Sequence, residues 1–248
     1  MKRVILFMIL MLFVILFYQK TNVVKEKSEN TKKLLKNGYL IIPNMLTHQE
    51  CDSILDEISK VEKRNPKTGS IHANKKRKDM LLPIYRVKNY IQKIYDSINN
   101  IWEHVVPNPV LCECSSLISY PGAKHQSWHS DTTYAPGDAN LVSIGIALSD
   151  VTEDMGPLHV LKGSNKVHGT SVENIEKNKK YEEIHCTAKK GDAVIWLSSV
   201  VHRGSKNVSQ QSRSIFYFSL LGSNGNRPDG STYSLLNKQK KLYMEEGL

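Results

Sequence analysis

The sequence predicts a mainly β protein with flanking helices: a helical front followed by a β core of sandwich, barrel or jelly-roll type, with an apolar helix ahead of both. Three observations predict it. After Pro109, short apolar runs (111–120, 141–148, 157–161, 183–187, 193–197 and 214–221) alternate with turn signals such as Pro121-Gly122, Pro136-Gly137 and Lys190-Gly191-Asp192. Before Pro109, two stretches carry helical periodicity. At the start, Val4 to Tyr18 is uninterrupted apolar sequence.

The elements follow in order. Residues 4–18 are apolar on every face, so they are no core helix. They cover about 22 Å against the roughly 30 Å of a hydrocarbon core. Tyr18-Gln19-Lys20 is a poor cleavage site, so residues 1–19 read as a transmembrane signal anchor rather than a cleaved signal peptide. That places the protein at a membrane as a single-pass N-terminal anchor. The flanking lysines leave its orientation open, with the secretory lumen favoured by the short basic N-terminus. The sequon Asn207-Val208-Ser209 matters only in that compartment. Residues 20–36 are polar and charged, a tether leading into a helix, and 37–248 form one domain.

Within it, "NGYLIIPNML" (37–46) is a turn, a strand and a proline stop. Thr47 and Glu50 have capping-box spacing, and Ile54, Leu55, Ile58 and Val61 predict a helix over about 48–62. Residues 63–83 are basic and loop-like. Residues 85–105 repeat apolar positions at helical spacing and predict one amphipathic helix.

Composition bounds the partners. With 40 % apolar and 23 % charged residues the chain is globular. The net charge of +10 is mostly lysine spread along the chain. The compact run Asn74-Lys75-Lys76-Arg77-Lys78 lacks interleaved aromatic residues and reads as a solvated loop, so no nucleic acid is expected as partner. The cysteines (51, 112, 114 and 186) are too scattered for a disulfide framework or a zinc knuckle and read as ordinary thiols.

The candidate chemistry sits in "WHSDTTY" (128–134). His129 and Asp131 share a face if extended, roughly 6.5–7 Å apart. His202 closes the apolar strand "GDAVIWLSSVVH", and Arg213 opens "RSIFYFSLL". Two imidazoles and a carboxylate on one face of an ion form the triad of non-haem Fe(II) oxygenases, leaving positions for a 2-oxo acid and O2. An arginine entering a buried strand needs an anionic partner, and its fork suits the far carboxylate of such an acid. Other residues have plainer readings: His125 and His168 as loop histidines, His159 as a satisfied core histidine, and Trp128, Tyr134 and Trp196 as packing.

Four stretches then carry a resemblance: "NGYLIIPNMLTHQECDSILDEI", "YPGAKHQSWHSD", "DMGPLHVLKGSNK" and "GDAVIWLSSVVHRGSKNVSQQSRSIFYFSL". The chain resembles the phytanoyl-CoA dioxygenase superfamily of Fe(II)/2-oxoglutarate oxygenases over about 37–221. The resemblance implies a double-stranded β-helix, a cupin-like jelly roll. It implies iron on His129, Asp131 and His202, 2-oxoglutarate on Arg213 with Gln126 as a second contact, and O2 as co-oxidant. Ascorbate is an optional accessory. Asn165 stands where the family has His, and Lys162 where it has Pro; both lie in a turn. The presence of Asp131 points to hydroxylation rather than halogenation. The expected partner is a small-molecule or membrane-proximal substrate. A ligand-holding cupin without turnover and a nucleic-acid demethylase are the alternatives.

Overall fold

The computed structural model describes residues 28–64, 70–74, 76–167, 170–177 and 180–235. Helix α1 (Glu29–Asn37) starts at Ser28, whose Oγ accepts the Thr31 N–H, and ends at Gly38 in the left-handed region (φ 84°). Strand β1 (Tyr39–Ile42) follows, then α2 (His48–Arg64). The capping box predicted at its start is formed: Thr47 Oγ1 accepts the Glu50 N–H at 3.2 Å, and Glu50 Oε2 accepts the Thr47 N–H at 2.8 Å.

The stretch expected to be a basic loop is a hairpin, β2 (Ser70–Asn74) and β3 (Arg77–Leu81). Its charges hid it. Arg77 is buried, and Lys78 pairs with Glu62 at 2.9 Å. The single helix expected over 85–105 is two, α3 (Ile84–Ser97) and α4 (Asn99–Val105), because Ile98 leaves the helical region (φ −131°, ψ 33°). The Tyr95 carbonyl freed by that break accepts the Trp102 indole N–H at 2.9 Å.

The remaining strands are β4 (Val110–Ser119), β5 (Leu141–Ala147), β6 (Leu158–Leu161), β7 (Glu183–Cys186), β8 (Ala193–Leu197), β9 (His202–Gly204) and β10 (Arg213–Leu221), with a short helix α5 (Val172–Lys177) between β6 and β7. Seven strands form one antiparallel sheet in the order β1-β8-β5-β10-β4-β3-β2, and three form another in the order β7-β6-β9. The architecture is that of a jelly roll with helices on one side, as expected for the β core.

Strand alternation divides the large sheet between two tasks. Ile144, Ile146, Ile195, Phe216 and Phe218 face the helices and bury against Leu34, Ile54, Ile94, Ile101 and Trp102. The intervening residues face the small sheet, where Ala147, Val160, Cys186 and Val194 form a second cluster. A cavity of about 540 Å³ opens between the sheets.

One expectation is overturned. No helix among the described residues is long and apolar enough to cross a membrane, so the N-terminal membrane helix and the single-pass membrane localisation are not supported. Residues 4–18, on which they were placed, lie outside the described residues, as does His168. The sequon asparagine is fully buried: Asn207 Nδ2 donates to the carbonyls of Ser119 (3.0 Å) and Gln211 (2.8 Å) and is closed to a glycan in this fold. The four cysteines are buried and unpaired.

Candidate functional site

Backbone pairing across the cavity mouth brings the His-x-Asp segment onto the start of β9. His129 and His202 exchange two main-chain hydrogen bonds, of 3.0 and 2.8 Å, and the Asp131 N–H donates to the Ser198 carbonyl at 2.9 Å. Residues about seventy positions apart thereby share one face. Asp131 Oδ1 lies 3.5 Å from His202 Nε2 and 3.8 Å from His129 Nε2, and the three ligand atoms fall within 4.8 Å of one another. On an octahedral ion with bonds of about 2.1 Å, neighbouring ligand atoms lie about 3 Å apart, so a small closure completes the geometry.

The ring nitrogens are already assigned. His129 Nδ1 donates to the Ser127 carbonyl (2.8 Å) and His202 Nδ1 to the Val200 carbonyl (2.9 Å), which leaves both Nε2 atoms toward Asp131. Trp196 Nε1 donates to Asp131 Oδ2 at 3.4 Å. Trp196 therefore lines the cavity instead of serving only as packing. Burial lowers the pKa of His129, with His202 beside it adding to the effect. Burial acts the same way on His202, but the Asp131 carboxylate outweighs it and the net shift is upward. Burial pushes Asp131 up, and the two imidazoles and Trp196 bring it net below its usual range. Two nitrogens and one carboxylate oxygen on one face suit a first-row divalent cation.

Arg213 stands at the far end of the same cavity, 3 % exposed. Its guanidinium donates to the Gly156 carbonyl and to Ser119 Oγ (2.9 Å), and Nε has no hydrogen-bond partner. Burial, with the nearby Arg77 cation adding to it, lowers its pKa to about 9, so it remains charged at neutral pH. Among the described residues it forms no ion pair with a carboxylate. Such a buried charge is costly until an anion arrives, and the far carboxylate of 2-oxoglutarate fits that demand. Gly156 fits this role: at φ 75° it takes the left-handed region, and a Cβ there would run into the backbone of Ser205 and Lys206.

Gln126 is held beside this end. Its Oε1 accepts the Gly204 N–H (2.8 Å) and an Arg77 Nη1–H (3.4 Å). Arg77 was missed in the sequence because its run of charges reads as solvated. It is 5 % exposed, donates Nη2–H to the Lys124 and Ser205 carbonyls, and pairs in register with Ser119. Ser119 is also the register partner of Arg213, so the two arginines flank one serine on one face of three strands.

The turn that carries Asn165 is tied to its surroundings. Asn165 Nδ2 donates to the Leu35 carbonyl at 3.2 Å, near the end of α1, and Ser164 Oγ accepts the Val201 N–H at 2.9 Å, one residue before His202. His159, expected as a satisfied core histidine, is buried and paired with Glu183 through Nδ1 (2.7 Å), but its Nε2 has no hydrogen-bond partner. It belongs to a second grouping, Glu153, His159 and His185. There the two imidazoles stack 3.7 Å apart and nearly parallel (8°), so their in-plane lone pairs do not converge on one ion. His125 is exposed; Trp128 carries the Arg203 guanidinium 4.2 Å above its ring.

Comparison with known proteins bears on the family and the fold. The family described as phytanoyl-CoA dioxygenase (PhyH) matches residues 34–215. The uncharacterized protein YJR154W of Saccharomyces cerevisiae is 26 % identical over 223 residues, covering 75 % of this chain and 62 % of its own length. The dioxygenase easH of Epichloe festucae var. lolii is 33 % identical over 96 residues, covering 36 % of this chain and 50 % of its own length. The chain thus spans between half and two thirds of these relatives. Among solved structures, the non-heme alpha ketoglutarate dependent epimerase SnoN from nogalamycin biosynthesis superposes with a TM-score of 0.62 at 13 % identity, covering 78 % of this chain and 80 % of its own. HygX from Streptomyces hygroscopicus, solved with nickel and 2-oxoglutarate bound, gives 0.60 at 13 % identity, covering 80 % and 88 %. With the family matched across most of its length and its jelly roll shared with these structures, the chain belongs to the phytanoyl-CoA dioxygenase family of iron- and 2-oxoglutarate-dependent oxygenases.

Proposed function

We propose that this chain is an Fe(II)- and 2-oxoglutarate-dependent dioxygenase that hydroxylates a small molecule, with His129, Asp131 and His202 holding the ion. Arg213 takes the distal carboxylate of the cosubstrate, with Gln126 beside it. When bound, ferrous iron with 2-oxoglutarate and O2 supplies the oxidising power for attack on a substrate C–H bond, with succinate and CO2 released. The chain's own residues prepare that chemistry. The Ser127 and Val200 carbonyls hold the two imidazoles in the tautomer that offers Nε2. Trp196 steadies the Asp131 carboxylate. Ala147, Val151, Leu158 and Ile215 give the cosubstrate end an apolar wall that keeps water scarce.

The observation that carries the reading is a single cavity containing both the two-imidazole, one-carboxylate cluster and a buried guanidinium with no anionic partner among the described residues. The cosubstrate named for SnoN and HygX supports it. The test is succinate formation from the protein with Fe(II), ascorbate and 2-oxoglutarate. His129→Ala and Asp131→Ala should fall to background. Arg213→Ala should raise the KM for 2-oxoglutarate by about tenfold or more, the worth of a lost charge-assisted pair. Undiminished succinate from the His129 variant would sink the assignment.

A further inference from the structure

The cavity has a second charged end that the cosubstrate chemistry does not use. Along β10, Arg213, Ile215, Tyr217 and Ser219 all face it, so it runs roughly 20 Å from one end of the strand to the other. At the end remote from Arg213, Tyr217 Oη lies 2.9 Å from Asp79 Oδ2 and 3.1 Å from Glu113 Oε1, and Ser219 Oγ donates to Glu113 Oε2 at 3.2 Å. Tyr217 has one proton, which Glu113 shares with Asp79. Glu113 forms no ion pair with a lysine or arginine among the described residues; its partners are neutral hydroxyls. Burial first, and Asp79 second, raise its carboxyl to about 7.

A separate observation points to a ligand here. Ser198 is fully buried and lines the same cavity, and its Oγ has no hydrogen-bond partner. Its backbone N–H pairs with the Leu141 carbonyl, which sets it toward the Glu113 end, and its carbonyl holds the Asp131 N–H. His129, Asp131 and His202 line the same cavity as Arg213 and Glu113. Among the described residues, one end holds a buried cation without an anionic partner, and the other holds Glu113, a half-buried carboxyl whose partners are hydroxyls.

We infer that the substrate carries a protonated nitrogen, an amine-bearing small molecule, bound with its ammonium at Glu113, Asp79 and Tyr217. The inference rests on the oxygenase reading and adds the substrate class to it. An ammonium supplies the missing donors and the compensating charge together, whereas a neutral hydroxyl supplies one donor and no charge. Fixing that nitrogen beyond the ligand cluster sets which carbon of the substrate faces the ion.

The test uses the full chain loaded with Mn(II) and 2-oxoglutarate, titrated by ligand-observed NMR with two probes of one shape, cyclohexylammonium and cyclohexanol. The ammonium should bind about tenfold tighter or better, a difference of about 1.4 kcal/mol. Glu113→Gln should abolish that preference and Asp79→Asn weaken it. Equal affinities, tighter binding of the alcohol, or no binding of either probe by the wild-type chain overturns the inference. So does a preference that survives in folded Glu113→Gln. Should both variants fail to fold, the wild-type comparison decides. Succinate formation by the wild type is measured on the same preparation. Succinate without amine preference removes the substrate class and leaves the oxygenase; no succinate removes the oxygenase whichever probe binds.

Discussion

Glu113 shows what a single side chain contributes and costs. Its carboxyl titrates near 4.5 in an ordinary setting and is raised to about 7 by burial and by Asp79. Between those values the folded chain keeps a proton that the unfolded chain has lost. The stability that this proton contributes is complete below about pH 4.5 and drains away as pH rises toward 7. In the ligand-free protein, Glu113→Gln should therefore be neutral in stability at acid pH and stabilising above pH 7, on the order of 2 kcal/mol. Urea unfolding of both proteins across that range measures it; a constant difference would show that the carboxyl is not perturbed. Trp196 has the opposite character, since its indole supports Asp131. Trp196→Phe should weaken Mn(II) affinity by about tenfold, as lost support of a ligand does elsewhere, with calorimetry as the readout.

Among the elements, the Gly163–Lys166 turn and β9 form one unit. Ser164 accepts the Val201 N–H, and Asn165 reaches the end of α1. Ser164→Ala leaves a buried N–H without an acceptor and should cost about 1–3 kcal/mol. The damage falls beside His202, so metal affinity should fall with it, while a variant that loses stability alone would show the turn to be mere scaffold. The Gly156 turn serves the other end of the cavity. Gly156→Ala forces a left-handed residue against the Ser205 and Lys206 backbone. It should cost more than about 2 kcal/mol and raise the KM for 2-oxoglutarate, because the carbonyl that fixes Arg213 moves.

At the scale of the molecule, the cavity between the two sheets holds Arg213, which has no carboxylate partner among the described residues, and the Glu113 carboxyl, whose partners are hydroxyls. Ligands that bind only the folded state then stabilise it by mass action. Mn(II) with 2-oxoglutarate at about a hundredfold above their dissociation constants should each add about 2.7 kcal/mol. For a chain of this size that is about 5–10 °C in Tm per ligand. Arg213→Ala should keep the metal increment and lose that of 2-oxoglutarate. Chelation by EDTA should remove both, because the cosubstrate's chelating end needs the ion.

The sequence by itself determined the β character after Pro109 and the capping box at Thr47, and it singled out His129, Asp131, His202 and Arg213, which line one cavity. Those features are local, or they use residue types so costly to bury that their presence in apolar strands is informative. It misled at the β2–β3 hairpin, where charge read as solvent exposure, and at Ile98, where periodicity runs through a break. The apolar start suggested a membrane helix that no described residue supports. Only the tertiary structure decided that Arg77 lies in register with Ser119 and Arg213, and that Asp79, Glu113 and Tyr217 meet at one hydroxyl. The physical reason is that these meetings depend on which strand lies beside which. Strand order is settled by burying the whole sheet between the helices and the small sheet, and no short stretch of sequence records that balance.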